Sequence, residues 1–369
     1  MNASILNGKG TLPSQTIIEL LRAGFIQNAK EENVRPASLD LSISDEIYAV
    51  DGIFQPSKGE AVRKVLAKTN KRKHPIGKPL LHGQIYLIRL NETLELPHSV
   101  YGFFNPRSTS GRIDLHVRLI ADGVARYDSV SPGFNGELWI FVIPNTFPIK
   151  LYEGVSLNQI RFFNMDTRLN PFEVEVAVKN YKLLWRQDKG VAYKYEDMTV
   201  SEKDGSIVMT LDLDGDNPGY EGVVSDNVVD LSQIGYYDHK KFFKKIEKED
   251  GFVYLKKGAF YLLATHEAVR VPPELACEMI PMDVRSAEFR SHYAGFIDPG
   301  WGWGTRAEGK GRPLTLEVRP LEDLVVRQGQ PIAKVKFERM TDTPPQSYDT
   351  ISSNYIGQSG PRLAKHFKI

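Results

Sequence analysis

The sequence lacks several features that mark common protein classes. Its single cysteine, Cys277, excludes an intrachain disulfide framework and a cysteine-rich zinc site. Cys277 stands among apolar residues, which predicts a buried thiol within a strand. No apolar run approaches the roughly 20 residues that cross a bilayer, and the first residues lack the pattern of a signal peptide. We therefore expect a cytoplasmic protein that has no membrane partner.

A surplus of basic residues is also missing. The 47 Lys and Arg residues nearly balance the 46 Asp and Glu residues, and the formal net charge is +1. Proteins that wrap nucleic acid usually carry a clear basic excess, so we expect no nucleic-acid partner. An anionic ligand would have to be bound by a local cluster of cations.

Motifs of the common cofactor sites and nucleophiles are absent as well. The eight histidines do not form the H-x-E and P-C-x-x-C pattern of zinc-dependent base deaminases. The chain has no Walker A or Rossmann glycine motif and no G-x-S-x-G nucleophile elbow. We therefore expect no metal held by the protein.

Short strands dominate the patterns that are present. Residues 85–88, 138–143, 260–263 and 332–337 are rich in β-branched and aromatic residues and are bounded by Gly or Pro. Helical periodicity is rare: residues 14–23 predict one helix capped by Ser14, and the basic segment 238–248 is a candidate for a second, short helix. Many strands with few helices predict an antiparallel barrel or jelly roll.

The two halves of the chain resemble each other in order. Each half has an apolar segment that ends in Pro before a strand, at 94–97 and 268–272. Each then has an Arg-Ser step with a second Arg five residues after the first, a Pro-Gly-aromatic turn, and two strands joined by a Gly turn. Four such matches in register indicate an internal duplication. We predict two domains, 1–175 and 176–369, with a boundary in the polar, turn-rich region near 170–200.

The Arg-Ser steps are candidates for binding an anion. The first half supplies Arg107, Ser108 and Arg112 within Asn105–Arg112, and the second supplies Arg285, Ser286 and Arg290. Arg offers a fixed fork of donors to phosphate, hydroxyls add neutral donors, and Gly lets backbone amides approach closely. A solvated turn is the alternative, since Ser, Gly and Pro are loop residues in any case.

Two carboxylates of the second half are candidates for chemistry. Asp298 lies between an apolar strand and the tight turn Pro299–Trp301, where it either caps the turn or binds a sugar hydroxyl or a water. Glu317 alternates with apolar residues and shares a strand face with Thr315. That face is either a solvated surface or the place of a partly desolvated general base.

Together these residues resemble the dCTP deaminase and dUTPase superfamily. The stretch 106–112 is similar to the R-S-S-x-x-R nucleotide loop, 294–301 to A-x-x-I-D-P-G-W, and Leu316-Glu317 to the step that holds the deaminase's catalytic Glu. Residues 354–360 resemble the tail that folds over the nucleotide, with Gln358 in the motif and Tyr348 upstream. The duplicated length resembles the long bacterial form of dCTP deaminase.

The resemblance implies a fold, an activity and partners. It implies two dUTPase-like jelly-roll domains, a homo-oligomer with sites at domain or subunit interfaces, and hydrolytic deamination of dCTP to dUTP without a metal at the reacting carbon. Glu317 would be the catalytic base. Substrate contacts would come from Arg107, Ser108, Arg112, Arg285, Ser286, Arg290, Asp298, Thr315, Tyr348 and Gln358. Mg²⁺ would be bound to the substrate triphosphate.

Departures from the family pattern divide the motifs between the halves. In the first half the position of the catalytic Glu is Phe141, and no Tyr/Gln tail follows. In the second half Ser286 is followed by Ala287 and Glu288 instead of another hydroxyl. We therefore hypothesise a composite site, with the Arg-Ser loop from the first half and Asp298, Glu317 and the tail from the second.

Two other functions remain open from the sequence. Residues 294–298 also resemble the A-G-x-I-D motif of dUTPases, in which the Asp orients the water that attacks the α-phosphate. A dUTP pyrophosphatase, or a bifunctional enzyme that makes dUMP from dCTP, is therefore an alternative, although a pure dUTPase needs no base near C4. A non-catalytic nucleotide-binding protein is the other alternative, because neither half holds every motif.

Overall fold

A computed structural model describes residues 8–215, 217–282, 289–290, 295–351 and 359–368, with only the backbone at 289–290. The chain forms two compact units. The first unit comprises residues 1–166, 223–242 and 364–369, and the second comprises residues 167–222 and 243–363. Both units are mainly β, which confirms the predicted fold class.

The strands that precede the second unit in the chain belong to the first unit. They are β1 (Gly10–Thr11), β2 (Ile26–Gln27), β3 (Val34–Arg35), β4 (Ser38–Val50), β5 (Lys71–Lys73), β6 (Ile85–Glu95), β7 (Val100–Pro106), β8 (Leu115–Ala121), β9 (Ser129–Val130), β10 (Asn135–Pro144), β11 (Ile149–Lys150) and β12 (Ser156–Asn164).

The remaining strands follow in chain order. They are β13 (Leu184–Arg186), β14 (Val191–Ala192), β15 (Ile207–Asp212), β16 (Tyr220–Gly222), β17 (Val229–Asp230), β18 (Tyr237–Asp238), β19 (Phe243–Lys245), β20 (Phe252–Leu255), β21 (Tyr261–Val269), β22 (Leu275–Ile280), β23 (Phe289–Arg290), β24 (Phe296–Ile297), β25 (Arg312–Pro320), β26 (Leu324–Arg327), β27 (Pro331–Arg339) and β28 (Phe367–Lys368).

Each unit contains one large antiparallel sheet. In the first unit its order is β8-β10-β6-β4-β12-β7-β9, and two short parallel pairs, β11 with β17 and β18 with β28, lie apart from it. In the second unit the order is β14-β13-β21-β15-β27-β22-β24, with β25 paired to β21 and to β23. Strand β7 alternates buried and half-buried residues, as expected where one face packs on a core.

Equivalent hydrogen bonds in the two large sheets indicate that the sheets are duplicates. Buried Glu92 of β6 accepts hydrogen bonds from the Ser42 amide, at 3.0 Å, and from the Ser42 hydroxyl, at 2.8 Å. In the second unit, buried Glu267 of β21 accepts the same two bonds from Thr210, at 2.8 and 2.6 Å. Because a repeated polar contact in equivalent strands is not expected by chance, the observation supports the internal duplication.

Four helices complete the described structure: α1 (Ser14–Arg22), α2 (Val62–Lys68), α3 (Ser108–Gly111) and α4 (Pro171–Tyr181). Helix α1 confirms the prediction for 14–23, although Pro13 occupies the N-cap position in place of Ser14. The helix predicted for 238–248 is wrong, because Asp238 caps a single 3₁₀ turn and the chain then enters β19. None of the described helices is both long and apolar enough to cross a membrane.

Candidate functional site

Glu317 lies in the middle of β25 and is almost completely buried, with 1% of its surface exposed. The strand is buried continuously from Pro313 to Val318, so both of its faces are covered. The expectation that Leu314, Leu316 and Val318 face the core is confirmed, whereas the solvated surface considered for Glu317 is wrong. The side chain of Glu317 is therefore enclosed within the second unit.

Thr315, two residues before Glu317, is also buried. Its hydroxyl oxygen accepts a hydrogen bond of 3.2 Å from the backbone amide of Arg362. The segment that follows the predicted nucleotide-covering tail therefore contacts β25 at Thr315. Further along β25, the backbone of Arg319 is paired with the backbone of Arg290 in β23.

Asp298 follows β24 at the start of the turn Pro299–Trp301 and is half-buried. Its carbonyl oxygen accepts a hydrogen bond of 3.1 Å from the Trp301 amide, as expected for a residue that opens a turn. Gly300 has a φ of +88°, and a Cβ there would lie 2.4 Å from the Cβ of Ser347. Only glycine permits this close approach.

Tyr348 is brought to the same turn. Its amide donates a 2.8 Å hydrogen bond to the Pro299 carbonyl, and its ring lies 4.9 Å from the ring of Trp301. The next residue, Asp349, was missed by the sequence analysis: it accepts bonds from the Gly304 amide, at 2.8 Å, and from Arg312 of β25, at 2.6 Å. The structure thus connects the Asp298 turn, Tyr348 and β25 within the second unit.

The Arg-Ser loop of the first half lies in the first unit. Arg107 precedes α3, which begins at Ser108, and its Nε lies 3.2 Å from a carboxylate oxygen of Asp40. The side chain of Arg107 is 30% exposed, whereas Arg112 is only 3% exposed. Arg107 therefore presents its guanidinium to solvent, and the burial of Arg112 favours a role in holding the loop.

Several predicted positions cannot be compared with the structure. Arg285, Ser286 and Gln358 lie outside the described residues, and so does the side chain of Arg290. Among the residues that are described, no group of three or more His, Cys, Asp or Glu side chains is arranged to hold a metal ion.

The register shows what the first unit has at the equivalent positions. Phe141 of β10 is paired with Leu87 as Glu317 is paired with Leu262, so Phe141 replaces the carboxylate. The strand pairing thus agrees with the sequence prediction that Phe141 stands at the position of the catalytic Glu. Val130 of β9 corresponds to Ile297, which places Ser131 where the second unit has Asp298. The first unit therefore lacks both carboxylates.

Comparisons with known proteins agree with this geometry. Residues 8–166 match the family model of the 2'-deoxycytidine 5'-triphosphate deaminase N-terminal domain, and residues 180–367 match the model of the C-terminal domain. A solved structure of 2'-deoxycytidine 5'-triphosphate deaminase from Agrobacterium tumefaciens is similar with a TM-score of 0.80 and 31% identity, covering 90% of this chain and 100% of that one.

Shorter relatives align to part of the chain. A protein of Saccharolobus solfataricus named dCTP deaminase is 30% identical over 140 residues, which are 37% of this chain and 68% of the relative. A protein of Coprothermobacter proteolyticus named "dCTP deaminase, dUMP-forming" is 25% identical over 143 residues, which are 38% of this chain and 74% of the relative.

Proposed function

The chain belongs to the 2'-deoxycytidine 5'-triphosphate deaminase family, and on that basis we propose that it converts dCTP and water to dUTP and ammonia. The observation that carries the proposal is the buried carboxylate of Glu317, two residues after buried Thr315 on β25. Tyr348 and Asp349 connect the same strand to the Asp298 turn. Buried ionisable side chains are frequent at functional sites, which favours a catalytic role for Glu317.

The reaction requires one group that takes a proton and later returns it. Glu317 removes a proton from a water molecule, and the resulting hydroxide attacks C4 of the cytosine ring. The C4–O bond forms, the protonated carboxyl gives its proton to the amino group, and the C4–N bond breaks to release ammonia. A carboxylate can serve in both directions when desolvation brings its two protonation states close in energy.

The other residues bind and orient the substrate. Arg107 and Ser108 bind the triphosphate, which carries Mg²⁺, and Arg112 supports their loop. Asp298 contacts the deoxyribose or the reacting water, Thr315 lies next to the base, and Tyr348 with Gln358 closes over the ligand. Arg285, Ser286 and Arg290 are assigned to the substrate by their match to the family loop.

The site is composite in this proposal. The first half contributes the Arg-Ser loop, and the second contributes Asp298, Glu317 and the tail. Differences at equivalent positions of the two units support this division. The first unit has Phe141 in place of the proposed base Glu317. The second unit has Val208 in place of Asp40, which holds Arg107 in the first unit. The enzyme acts in the cytoplasm as a homo-oligomer whose sites lie at interfaces between domains or subunits.

A second candidate function is a bifunctional enzyme that also cleaves dUTP to dUMP and pyrophosphate. Relatives named "dCTP deaminase, dUMP-forming" favour it, as does the resemblance of residues 294–298 to the dUTPase motif. Incubation with dCTP and Mg²⁺, followed by separation of nucleotides and assay of ammonia and pyrophosphate, tests both. Ammonia with dUTP supports the deaminase, dUMP with pyrophosphate supports the bifunctional enzyme, and unchanged dCTP contradicts both.

A further inference from the structure

Two cations that the family motifs do not include, Arg35 and Lys365, accompany Arg107 in the first unit. Arg35 of β3 places its Nε 2.6 Å from one carboxylate oxygen of Asp40, and Arg107 places its Nε 3.2 Å from the other. The Asp40 side chain is 2% exposed, whereas the side chains of Arg35 and Arg107 are 35% and 30% exposed. The buried carboxylate therefore holds two arginines whose side chains remain partly exposed.

Lys365 adds a third positive charge to the same place. Burial lowers the pKa of its ammonium group, and repulsion from Arg107 and Arg35 lowers this pKa further, while Asp40 offsets only part of the effect. Among the described residues, no carboxylate lies within ion-pair distance of Lys365. The residue belongs to the C-terminal segment 364–369, which is part of the first unit.

The charges of this cluster do not balance. Three cations face one carboxylate, which leaves a formal excess of two positive charges in a partly buried place. Like charges held together are unfavourable unless an anion neutralises them. Two planar guanidinium groups on a fixed carboxylate, with a flexible ammonium beside them, are suited to an extended polyanion with several oxygens rather than to a single carboxylate.

We propose that Arg35 and Lys365 join Arg107 in binding the polyphosphate of the substrate, and that Asp40 is the positioning residue that orients both arginines. The inference rests on the proposed function and adds residues to its triphosphate site. Comparison of the units supports the proposal. Asp40 is paired opposite Gln159 in the first unit, and the equivalent pair in the second unit is Val208 with Lys334. The second unit therefore lacks a carboxylate at this position. The Asp40 carboxylate is therefore specific to the first unit, which carries Arg107 and Ser108.

The test uses the full-length chain and inorganic tripolyphosphate, titrated by calorimetry at two KCl concentrations. Lys365→Gln and Arg35→Gln are each expected to weaken tripolyphosphate binding about tenfold, as expected for loss of one charge-assisted contact. The KM for dCTP should rise by a similar factor while kcat changes by less than about threefold. Asp40→Asn should likewise raise the KM for dCTP and change kcat by less than about threefold. The matched control is Arg72→Gln, which removes an exposed arginine paired with Asp51 in the same unit.

Circular dichroism and thermal melting establish that each variant is folded. If Asp40→Asn fails to fold, Lys365→Gln and Arg35→Gln, whose side chains are at least partly accessible, decide the matter. Wild-type tripolyphosphate affinity in both of these variants would overturn the cluster, and so would equal losses in the Arg72 control. Weakened tripolyphosphate binding in a chain that does not deaminate dCTP would support the anion site and contradict the proposed activity, so the two failures can be told apart.

Discussion

Strands β10 and β25 occupy equivalent positions in the two units, yet one carries Phe141 and the other Glu317. Phe141 packs in a core cluster with Leu87, Ile120 and Trp139, and it contributes to stability. Glu317 is equally buried but contributes no apolar surface there. After a duplication, one copy can replace a costly functional carboxylate by an aromatic side chain if the other copy keeps it. The two units therefore differ at this position although their strands are equivalent.

The largest effect should come from Glu317→Gln. The amide keeps the shape of the side chain but cannot take the proton of a water molecule, so kcat should fall by about 10² to 10⁴-fold. The KM for dCTP should change little, because the Arg-Ser loop is untouched. Steady-state ammonia release measures both constants. Glu322→Gln, in the exposed turn after β25, is the control, and turnover of Glu317→Gln within a few-fold of that control would exclude the base.

Charge reversal in each of the two Arg-Ser loops tests whether the two halves contribute unequally to nucleotide binding. Arg107→Glu removes a donor and adds repulsion toward phosphate, so dCTP binding should weaken by about 100-fold or more. Arg285→Glu serves as the counterpart from the second half and should have the smaller effect on nucleotide binding. Calorimetric titration with a non-hydrolysed deoxynucleoside triphosphate gives both affinities. A loss seen only in Arg285→Glu would contradict the composite site.

The duplicated buried glutamates predict how stability depends on pH. Burial raises the pKa of Glu92 to about 7 from an ordinary value of 4.5. The native protein therefore keeps a proton that the unfolded chain has released, and the free energy of unfolding falls as pH rises between these values. Glu92→Gln binds no proton there, so its stability relative to wild type should rise by about 2 to 3 kcal/mol from pH 4.5 to 7.

Urea unfolding at pH 4.5, 6 and 7.5 measures this effect. Exposed Glu95 provides the control, since Glu95→Gln should not change the slope. Burial also raises the pKa of Glu267, so Glu267→Gln should show the same sign in the second unit. Parallel pH profiles for Glu92→Gln and wild type would contradict the assignment of a retained proton.

The smallest effect concerns Thr315→Val, which removes the acceptor for the Arg362 amide but keeps the volume of the side chain. Loss of one neutral hydrogen bond weakens binding by about two- to tenfold. Thr315→Val should therefore raise the KM for dCTP by such a factor, while kcat is largely preserved. Thr343→Val, at an exposed position, is the control in the same kinetic assay. A loss confined to kcat would assign Thr315 to the reaction step instead of substrate contact.

Local patterns were sufficient to predict much of the fold. The apolar runs at 85–88, 138–143 and 332–337 lie in strands, and the run at 260–263 does so from Tyr261 onward. Strand propensity and bounding turns are local properties, so the sequence could predict them. Helix α4 was missed although Asn170, Pro171 and Glu173 form a recognisable capping box with Pro at the first helical position. The surrounding polar residues suggested only a linker.

Long-range contacts of the candidate site could not be read in the same way. Strand alternation placed Glu317 opposite the apolar residues of its strand and left open whether that face is solvated, whereas β25 is in fact covered on both faces. Asp349 reaches Arg312 across 37 residues, and Lys365 reaches the surroundings of Arg107 from the other end of the chain. Such pairings depend on topology, which composition and periodicity do not specify.

The segmented first unit has a consequence for folding during synthesis. Strand β18 leaves the ribosome well after β12, and its partner β28 emerges only after the whole second unit has been translated. Domains generally fold as their residues become available, at roughly 5 to 20 residues per second. The large sheet of the first unit can therefore assemble early, whereas the pairing of β18 with β28 and the arrival of Lys365 beside Arg107 are late events. The repulsion among the cations around Asp40 is therefore complete only after the second unit has been translated.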